Sequence, residues 1–299
     1  MVVKVRSSSR RTGNRAPRVI LFWSFLILLL LLFSGLAKIF LGFKKAEIRR
    51  FSRTNFVFFD IKQQPLLLSL QGSEGQVFVF SGESRVLVPP GFGEYELRKV
   101  YALGELEKKG PQLVKETVQS NYKAAIFGYF YDQKQAGDLY LRKPKRFFQQ
   151  VFWQAFWGKV KTDLSRYDLA VLYFRAFRLN EARIKVKNSY TEQDKFFDER
   201  LTDESFSVEI LNATDHDGLA QETGKFLEKA GLRVVRSADA DKNQENCEIK
   251  VREEIALSYT LWWVKRFFPC QISFTKDSSR ADLVLVLGEE YWKERGEKW

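Results

Sequence analysis

The most informative segment of the chain is Val208-Glu-Ile-Leu-Asn-Ala-Thr-Asp-His-Asp-Gly-Leu-Ala220, which is followed by a helical pattern and then by Gly231-Leu-Arg-Val-Val235. An apolar run, a polar loop, an amphipathic helix closed by glycine and a second apolar run predict a strand, a loop, a helix and a strand. Near the end of the chain, Ala281-Asp-Leu-Val-Leu-Val-Leu-Gly288 predicts a buried closing strand. We therefore expect a small α/β module of βαββαβ-like order in the last third of the chain.

The middle of the chain, from about residue 54 to residue 188, alternates short apolar runs with helical patterns. Runs bounded by glycine-containing turns predict strands, whereas apolar stripes at helical spacing predict helices. Ser165 and Asp168 fit a capping box that opens a helix. The alternation indicates a mixed α/β domain in which helices cover a sheet. Predicted strands lie at 56–59, 66–70, 76–80 and 124–130, and predicted helices lie at 112–121, at 146–160 and from 165 onward.

The net charge of +12 first suggests a nucleic-acid-binding protein. Residues 1–53, however, hold twelve Lys and Arg against Glu47 alone, so the rest of the chain carries about +1. The basic excess therefore belongs to the segments around an apolar stretch, and we expect no nucleic-acid partner.

That apolar stretch covers residues 19–37 and contains no charged side chain. At 1.5 Å per residue it spans the roughly 30 Å hydrocarbon core of a bilayer. We predict a retained signal anchor with a transmembrane helix at 19–41. The alternative is a cleaved signal peptide, because Gly35-Leu-Ala37 offers small residues at cleavage spacing. The basic residues on the two sides are equal in number, so orientation rests on the short basic tail at 1–18 staying cytoplasmic.

The motifs of the last third resemble those of the C-terminal domain of LytR-type proteins, the LytR/cell envelope-related transcriptional attenuator family. The resemblance rests on Leu211-Asn-Ala-Thr214, on the Gly218-Leu-Ala220 helix start and on the closing strand that ends at Gly288. It implies a domain at 205–292 and a bacterial cell-envelope protein whose C-terminal domains lie outside the membrane.

Residues 54–200 resemble a reduced, degenerate LytR/CpsA/Psr domain, preceded by a basic stalk at 42–53. The segments that carry this resemblance are 77–81, 86–95, 100–104 and 161–165. Enzymes of this family transfer glycopolymers from a polyprenyl pyrophosphate to peptidoglycan, with arginines neutralising the pyrophosphate and a carboxylate and Mg²⁺ assisting departure of the lipid phosphate. Such chemistry needs several cations that converge on one pyrophosphate.

The chain departs from that cation pattern. Arg85 lies one position after the place where the family motif has its arginine. Because side chains alternate along a strand, this shift turns Arg85 to the opposite face. Arg142 and Arg146 could still bind phosphate, although a solvated basic surface is the more ordinary interpretation. We therefore expect a non-catalytic binding or scaffolding protein with no cofactor. Its expected partners are the membrane, through a single span, and peptidoglycan, a wall glycopolymer or an envelope protein. The alternative is a glycopolymer phosphotransferase, which would need Mg²⁺.

Two further features have ordinary interpretations. Three adjacent residues cannot easily converge on one ion, so Asp215-His-Asp217 predicts a loop with no metal, in which Thr214 or Asp217 caps the next helix. Cys247 and Cys270 lie at the ends of neighbouring predicted elements in an exterior domain. They could form a disulfide, and the alternative is two buried free thiols.

Overall fold

The computed structural model describes residues 22–27, 29–30, 34, 45–60, 65–89, 91–134, 139–188, 196–275 and 281–295. The chain divides into two compact units, residues 1–46 and 47–299. In the first unit the described residues 22–27, 29–30, 34 and 45 are helical. The basic tail at 1–18 and most of the predicted span at 19–41 lie outside the described residues. Within the described part of the chain, no helix is long and apolar enough to cross a membrane.

The unit at 47–299 begins with a six-stranded mixed sheet in the order β7-β6-β1-β2-β3-β8. Strand β1 lies at its centre, antiparallel to β2 and parallel to β6. A separate hairpin, β4–β5, packs against the helix at Gly110–Tyr122. The strands are β1 Arg53–Asp60, β2 Leu66–Gln71, β3 Glu74–Val79, β4 Arg85–Val88, β5 Gly93–Glu96, β6 Ile126–Asp132, β7 Lys161–Thr162 and β8 Ile184–Lys187.

Helices cover both faces of this first sheet because strand alternation sends apolar side chains to both sides. Phe56 and Phe58 of β1 belong to the apolar cluster that includes helices α4 and α5, whereas Val57 and Phe59 belong to the cluster that includes α2 and β4. The helices are α1 Val100–Glu105, α2 Gly110–Tyr122, α3 Leu139–Arg142, α4 Pro144–Phe156 and α5 Arg166–Arg178. The Ser165 side chain accepts a hydrogen bond from the Asp168 backbone, which confirms the predicted helix start.

The last third forms a five-stranded sheet in the order β10-β9-β13-β11-β12. Strand β9 is parallel to both β10 and β13, and β11 is antiparallel to β13. The elements are α6 Glu199–Glu204, β9 Ser207–Asn212, α7 Leu219–Ala230, β10 Arg233–Asp239, β11 Glu248–Val251, α8 Tyr259–Phe267, β12 Gln271–Phe274, β13 Leu283–Leu287 and α9 Glu289–Arg295.

This sheet differs from the predicted βαββαβ-like order by one additional strand, β12. It is a four-residue edge strand whose residues are exposed or half-buried, so its sequence lacks the apolar run that marks β13. Gly231 ends α7 with a φ of 108°, in agreement with the predicted glycine closure, because a side chain would be strained in this left-handed conformation.

One apolar cluster continues from the first sheet into the second. It contains Phe56 of β1, Phe148 of α4, Phe226 of α7 and Trp263 of α8. Residues 47–52, which precede β1, lie within this shared core: Ile48 and Phe51 are buried in it, and Phe51 packs against Phe127 and Trp262. The two sheets therefore share one continuous apolar cluster, and a second cluster lies on the other face of the first sheet.

Candidate functional site

A cleft of about 490 Å³ opens where residues 47–52, helix α6 and helix α8 meet. We call it the junction cleft. Its lining includes Arg50, Arg200, Leu257, Tyr259, Trp262 and Lys265. Three of these side chains carry positive charge, and two are aromatic.

Helix α5 holds the segment that brings Arg50 to this cleft. The Arg175 guanidinium donates hydrogen bonds to the backbone carbonyls of Ile48, at 3.1 Å, and Phe51, at 2.9 Å. The Asp168 carboxylate accepts a hydrogen bond from the Ile48 backbone at 3.1 Å. Burial lowers the pKa of Arg175 below its ordinary value, although the carboxylate of Asp198 acts in the opposite direction. The backbone around Arg50 is therefore held by specific polar contacts.

The buried carboxylate of Asp198 joins three parts of the chain. It accepts hydrogen bonds from the Ser52 hydroxyl at 2.5 Å and from the Tyr259 hydroxyl at 2.6 Å. It also accepts from the backbone of Arg53 and from the backbone of Arg200, where it caps helix α6. Burial raises the pKa of Tyr259 above its ordinary value, and the adjacent Asp198 carboxylate raises that pKa further. Asp198 therefore ties α6 and α8 to the beginning of β1.

The two arginines of the junction cleft lie over aromatic rings. The Arg50 guanidinium is 5.3 Å from the Trp262 ring centroid, and the Arg200 guanidinium is 4.2 Å from that of Tyr259. Arg200 also donates to the Arg50 backbone carbonyl at 3.0 Å. Cation–π contacts of this kind hold a guanidinium in place while leaving its edge available to a ligand.

The one acidic side chain among the cleft residues is engaged with protein groups. The Glu204 carboxylate accepts hydrogen bonds from the Tyr259 and Thr260 backbones, at 2.9 and 2.7 Å, and from the Thr260 hydroxyl at 2.7 Å. Its negative charge is thereby directed at the N-terminus of α8, where the helix dipole stabilises it. The arrangement suits an anionic ligand with an apolar or sugar-like face that can rest on Trp262.

Comparison with known proteins identifies the part of the chain that contributes α8. Residues 205–291 match the family model described as LytR cell envelope-related transcriptional attenuator. This segment is a LytR C-terminal domain. The match begins one residue after Glu204 and includes Tyr259, Trp262 and Lys265 of the junction cleft. No curated protein matches the chain in sequence.

Several solved structures are weakly similar to part of the chain. B. subtilis TagV is 9% identical with a TM-score of 0.35, over 45% of this chain and 83% of its own. The transcriptional regulator EF0465 from Enterococcus faecalis is 12% identical with a TM-score of 0.37, over 61% and 89%. The LytR-CPS2A-psr family protein YwtF (TagT), solved with bound octaprenyl pyrophosphate lipid, is 11% identical with a TM-score of 0.32, over 46% and 77%. Similarities of this size carry no argument about the function of this chain.

The structure does not bring the three candidate phosphate-binding arginines together. Arg85 lies on the β4–β5 hairpin, where it is exposed and forms an ion pair with Glu94 at 3.7 Å. That hairpin belongs to the apolar cluster of α2. Arg142 and Arg146 are exposed on α3 and α4, on the opposite side of the first sheet. A role for these residues in phosphate binding stays a prediction.

In the LytR C-terminal domain, the loop at 213–218 follows β9. The His216 ring stacks on Trp292 at 3.9 Å, and the Asn212 amide donates to the His216 carbonyl at 2.9 Å. The predicted cap of α7 is wrong: Gly218 is the N-cap, no side chain caps the helix, and the Thr214 hydroxyl donates to Asn212 instead. Among the residues that the structure describes, no group of three His, Cys, Asp or Glu side chains could hold a metal ion.

Cys247 and Cys270 are joined by a disulfide with a Cα–Cα distance of 4.8 Å. It links the residue before β11 to the residue before β12, two parallel neighbours of the LytR C-terminal sheet.

The sequence patterns do not predict the junction cleft. A local signal does exist, because Trp262-Trp-Val-Lys-Arg266 combines aromatic and basic side chains on one helix. Arg50 and Arg200, however, reach the cleft only through the tertiary fold.

Proposed function

We propose that the chain is a membrane-anchored, extracytoplasmic protein of the cell envelope that binds an anionic envelope polymer without catalysing its transfer. The observation that carries the proposal is the junction cleft, in which Arg50, Arg200 and Lys265 surround aromatic side chains of a LytR C-terminal domain. Phosphate or carboxylate groups of a polymer would pair with the cations, and sugar rings would rest on Trp262.

The proposed location rests on sequence. Residues 19–37 form an uncharged apolar stretch of spanning length, and the tail before it is basic. A short cytoplasmic tail would leave residues 47–299 outside the membrane, where a disulfide such as Cys247–Cys270 persists. Protease treatment of intact cells tests this orientation. Loss of the large domain with retention of the N-terminal tail is expected, and the reverse pattern contradicts the proposal.

The proposed lack of catalysis is supported by two features of the first sheet. Arg85 lies across the sheet from Arg142 and Arg146, so these cations cannot act on one pyrophosphate. The space between the sheet and α4 is filled by Phe56, Phe130 and Phe152, whose ring centroids are 5.3–6.2 Å apart. This packing leaves little room there for a lipid chain.

A retention assay tests the polymer-binding proposal. The detergent-solubilised full chain is mixed with purified wall that carries phosphate-rich polymer and with the same wall after that polymer is removed. The variant Arg200→Gln/Lys265→Gln should be retained about tenfold less by the first material, because two charge-assisted contacts are lost. The matched control Arg233→Gln/Lys242→Gln removes the same charge from exposed positions of the LytR C-terminal domain and should bind like wild type. Equal retention of both variants contradicts the proposal.

A transfer assay tests the lack of catalysis separately. The full chain is incubated with a polyprenyl-pyrophosphate-linked polymer, peptidoglycan and Mg²⁺. We expect no covalently attached polymer above the level without protein. Attachment that Arg142→Gln/Arg146→Gln abolishes would establish the transferase alternative.

A further inference from the structure

Helices α4 and α5 expose a contiguous group of large aromatic side chains. We define the aromatic patch as Trp153 and Trp157 of α4 with its following turn, and Tyr173, Phe174 and Phe177 of α5. Trp153 and Trp157 are 46% and 61% exposed, and Phe174 and Phe177 are 58% and 51% exposed. Half-buried Tyr173 connects the two helices, with ring centroids 5.1 Å from Trp153 and 4.8 Å from Phe177. Side chains of this size, exposed together, mark a contact surface.

The segment that carries the aromatic patch is strongly basic. Residues 139–188 contain twelve Lys and Arg but only three Asp and Glu, whereas residues 196–299 contain 15 and 21. Asp168 is buried within the segment, and Asp163 is paired with Lys115.

On α4, Arg146 is exposed on the same face as Trp153 and Trp157, at i, i+7 and i+11. On α5, exposed Arg178 lies one turn after Phe174. The aromatic patch is thus flanked by positive charge.

Helix α5 also holds the start of this unit. Its Asp168 and Arg175 bind the backbone at Ile48 and Phe51, and the chain continues from there toward the apolar stretch at 19–37. A bilayer-inserted stretch would therefore tether the α5 side of the unit close to the lipid surface, within the reach of about ten residues.

We propose that the aromatic patch docks on the surface of an anionic lipid bilayer. Trp and Tyr side chains favour the headgroup region, where an aromatic ring is partly desolvated and its polar group stays hydrated. Arg146 and Arg178 then face anionic headgroups, which attract basic side chains within a Debye length. The inference rests on the proposed membrane anchorage.

Hydroxyl-radical footprinting of the full chain tests the docking. The chain is incorporated into nanodiscs of phosphatidylglycerol or of phosphatidylcholine, and oxidation of each aromatic side chain is measured by mass spectrometry. Oxidation of Trp153 and Trp157 should fall about fivefold in phosphatidylglycerol relative to phosphatidylcholine. Phe274, which is 57% exposed on β12, serves as the internal control and should be oxidised equally in both. The variant Arg146→Gln/Arg178→Gln should lose most of the difference for Trp153 and Trp157.

The outcomes separate docking from anchorage. If the chain fails to co-purify with either nanodisc, both proposals are rejected. If it incorporates but Trp153 and Trp157 are oxidised equally in the two lipids, anchorage stands and docking is overturned. Protection of Trp153 that appears in detergent and increases with protein concentration would assign the aromatic patch to a second copy of the chain, and it would also overturn docking.

Discussion

Asp198 illustrates how a single buried side chain organises this protein. Its carboxylate accepts hydrogen bonds from four donors that belong to residues 52, 53, 200 and 259. A buried carboxylate is costly unless its oxygens are paired, and here they are. The same contacts position the two arginines of the junction cleft that lie over aromatic rings. Arg50 lies two residues before Ser52, whose hydroxyl donates to Asp198, and the backbone of Arg200 donates to Asp198 directly.

We predict that Asp198→Ala lowers the free energy of unfolding by about 3 kcal/mol, because buried donors lose their acceptor and helix α6 loses its cap. Chemical denaturation of the wild type and the variant measures this change. Asp203→Ala is the matched control: Asp203 lies on the same helix and is exposed, so the expected loss is about 0.5 kcal/mol or less. A similar loss of stability for both variants would show that the buried hydrogen bonds of Asp198 contribute no more than an exposed carboxylate does.

Tyr259 should make stability depend on alkaline pH. Its pKa in the folded protein is raised above the ordinary value of 10.0 by burial and by Asp198. Above pH 10 the unfolded chain releases this proton while the folded protein keeps it, so stability falls as pH rises. The slope attributable to Tyr259 approaches about 1.4 kcal/mol per pH unit. Denaturation between pH 9 and pH 11 should show a shallower decline for Tyr259→Phe, and parallel curves would contradict the assignment.

At the scale of elements, the central strand β13 of the second sheet is fully buried, and the edge strand β12 is not. Strand β13 is buried along its whole length between β9 and β11, whereas β12 is short and half-exposed. The Cys247–Cys270 disulfide joins the beginning of this edge strand to β11. Covalent attachment therefore supports an edge strand that packing supports only weakly.

Removing the disulfide should lower the free energy of unfolding by about 3 kcal/mol, the value expected from loop entropy for a loop of this size. Cys247→Ala/Cys270→Ala is compared with wild type by denaturation in the presence and absence of a reducing agent. The reductant should destabilise wild type and leave the double variant unchanged. Insensitivity of the wild type to reduction would mean that the thiols are free in solution.

At the scale of the molecule, the shared core predicts that residues 47–299 unfold together. Phe51 contacts Phe127 of the first sheet and Trp262 of the LytR C-terminal domain, and Phe127 in turn contacts Phe267. Unfolding of either sheet would expose the apolar cluster that the two sheets share, so denaturation should show one cooperative transition. Coincident curves from tryptophan fluorescence and far-ultraviolet circular dichroism are expected. Two separate transitions would instead support independent domains at 54–200 and 205–292, boundaries that stay a prediction.

The distribution of charge also belongs to the whole molecule. A count over the chain places most of the excess in residues 1–53 and hides a second asymmetry, because the basic segment at 139–188 is offset by acidic residues after 196. A count by segment would have revealed it. The four-residue spacing of Trp153 and Trp157 allows contact with a bilayer surface. Their exposure beside these charges is visible only in the tertiary structure, since an apolar stripe on a helix more often predicts a core contact.

Local sequence pattern predicted the fold class and much of the secondary structure of this protein. Strand alternation and helical spacing predicted the α/β class and most element positions, and short motifs predicted the LytR C-terminal domain, because periodicity and helix starts depend on neighbouring residues. Tertiary structure alone decided the rest. Arg50, Arg200 and Trp262 form a cleft, and Arg85 is separated from Arg142, through contacts between residues more than fifty positions apart. Such contacts depend on how sheets and helices pack, and no local spacing in the sequence encodes them.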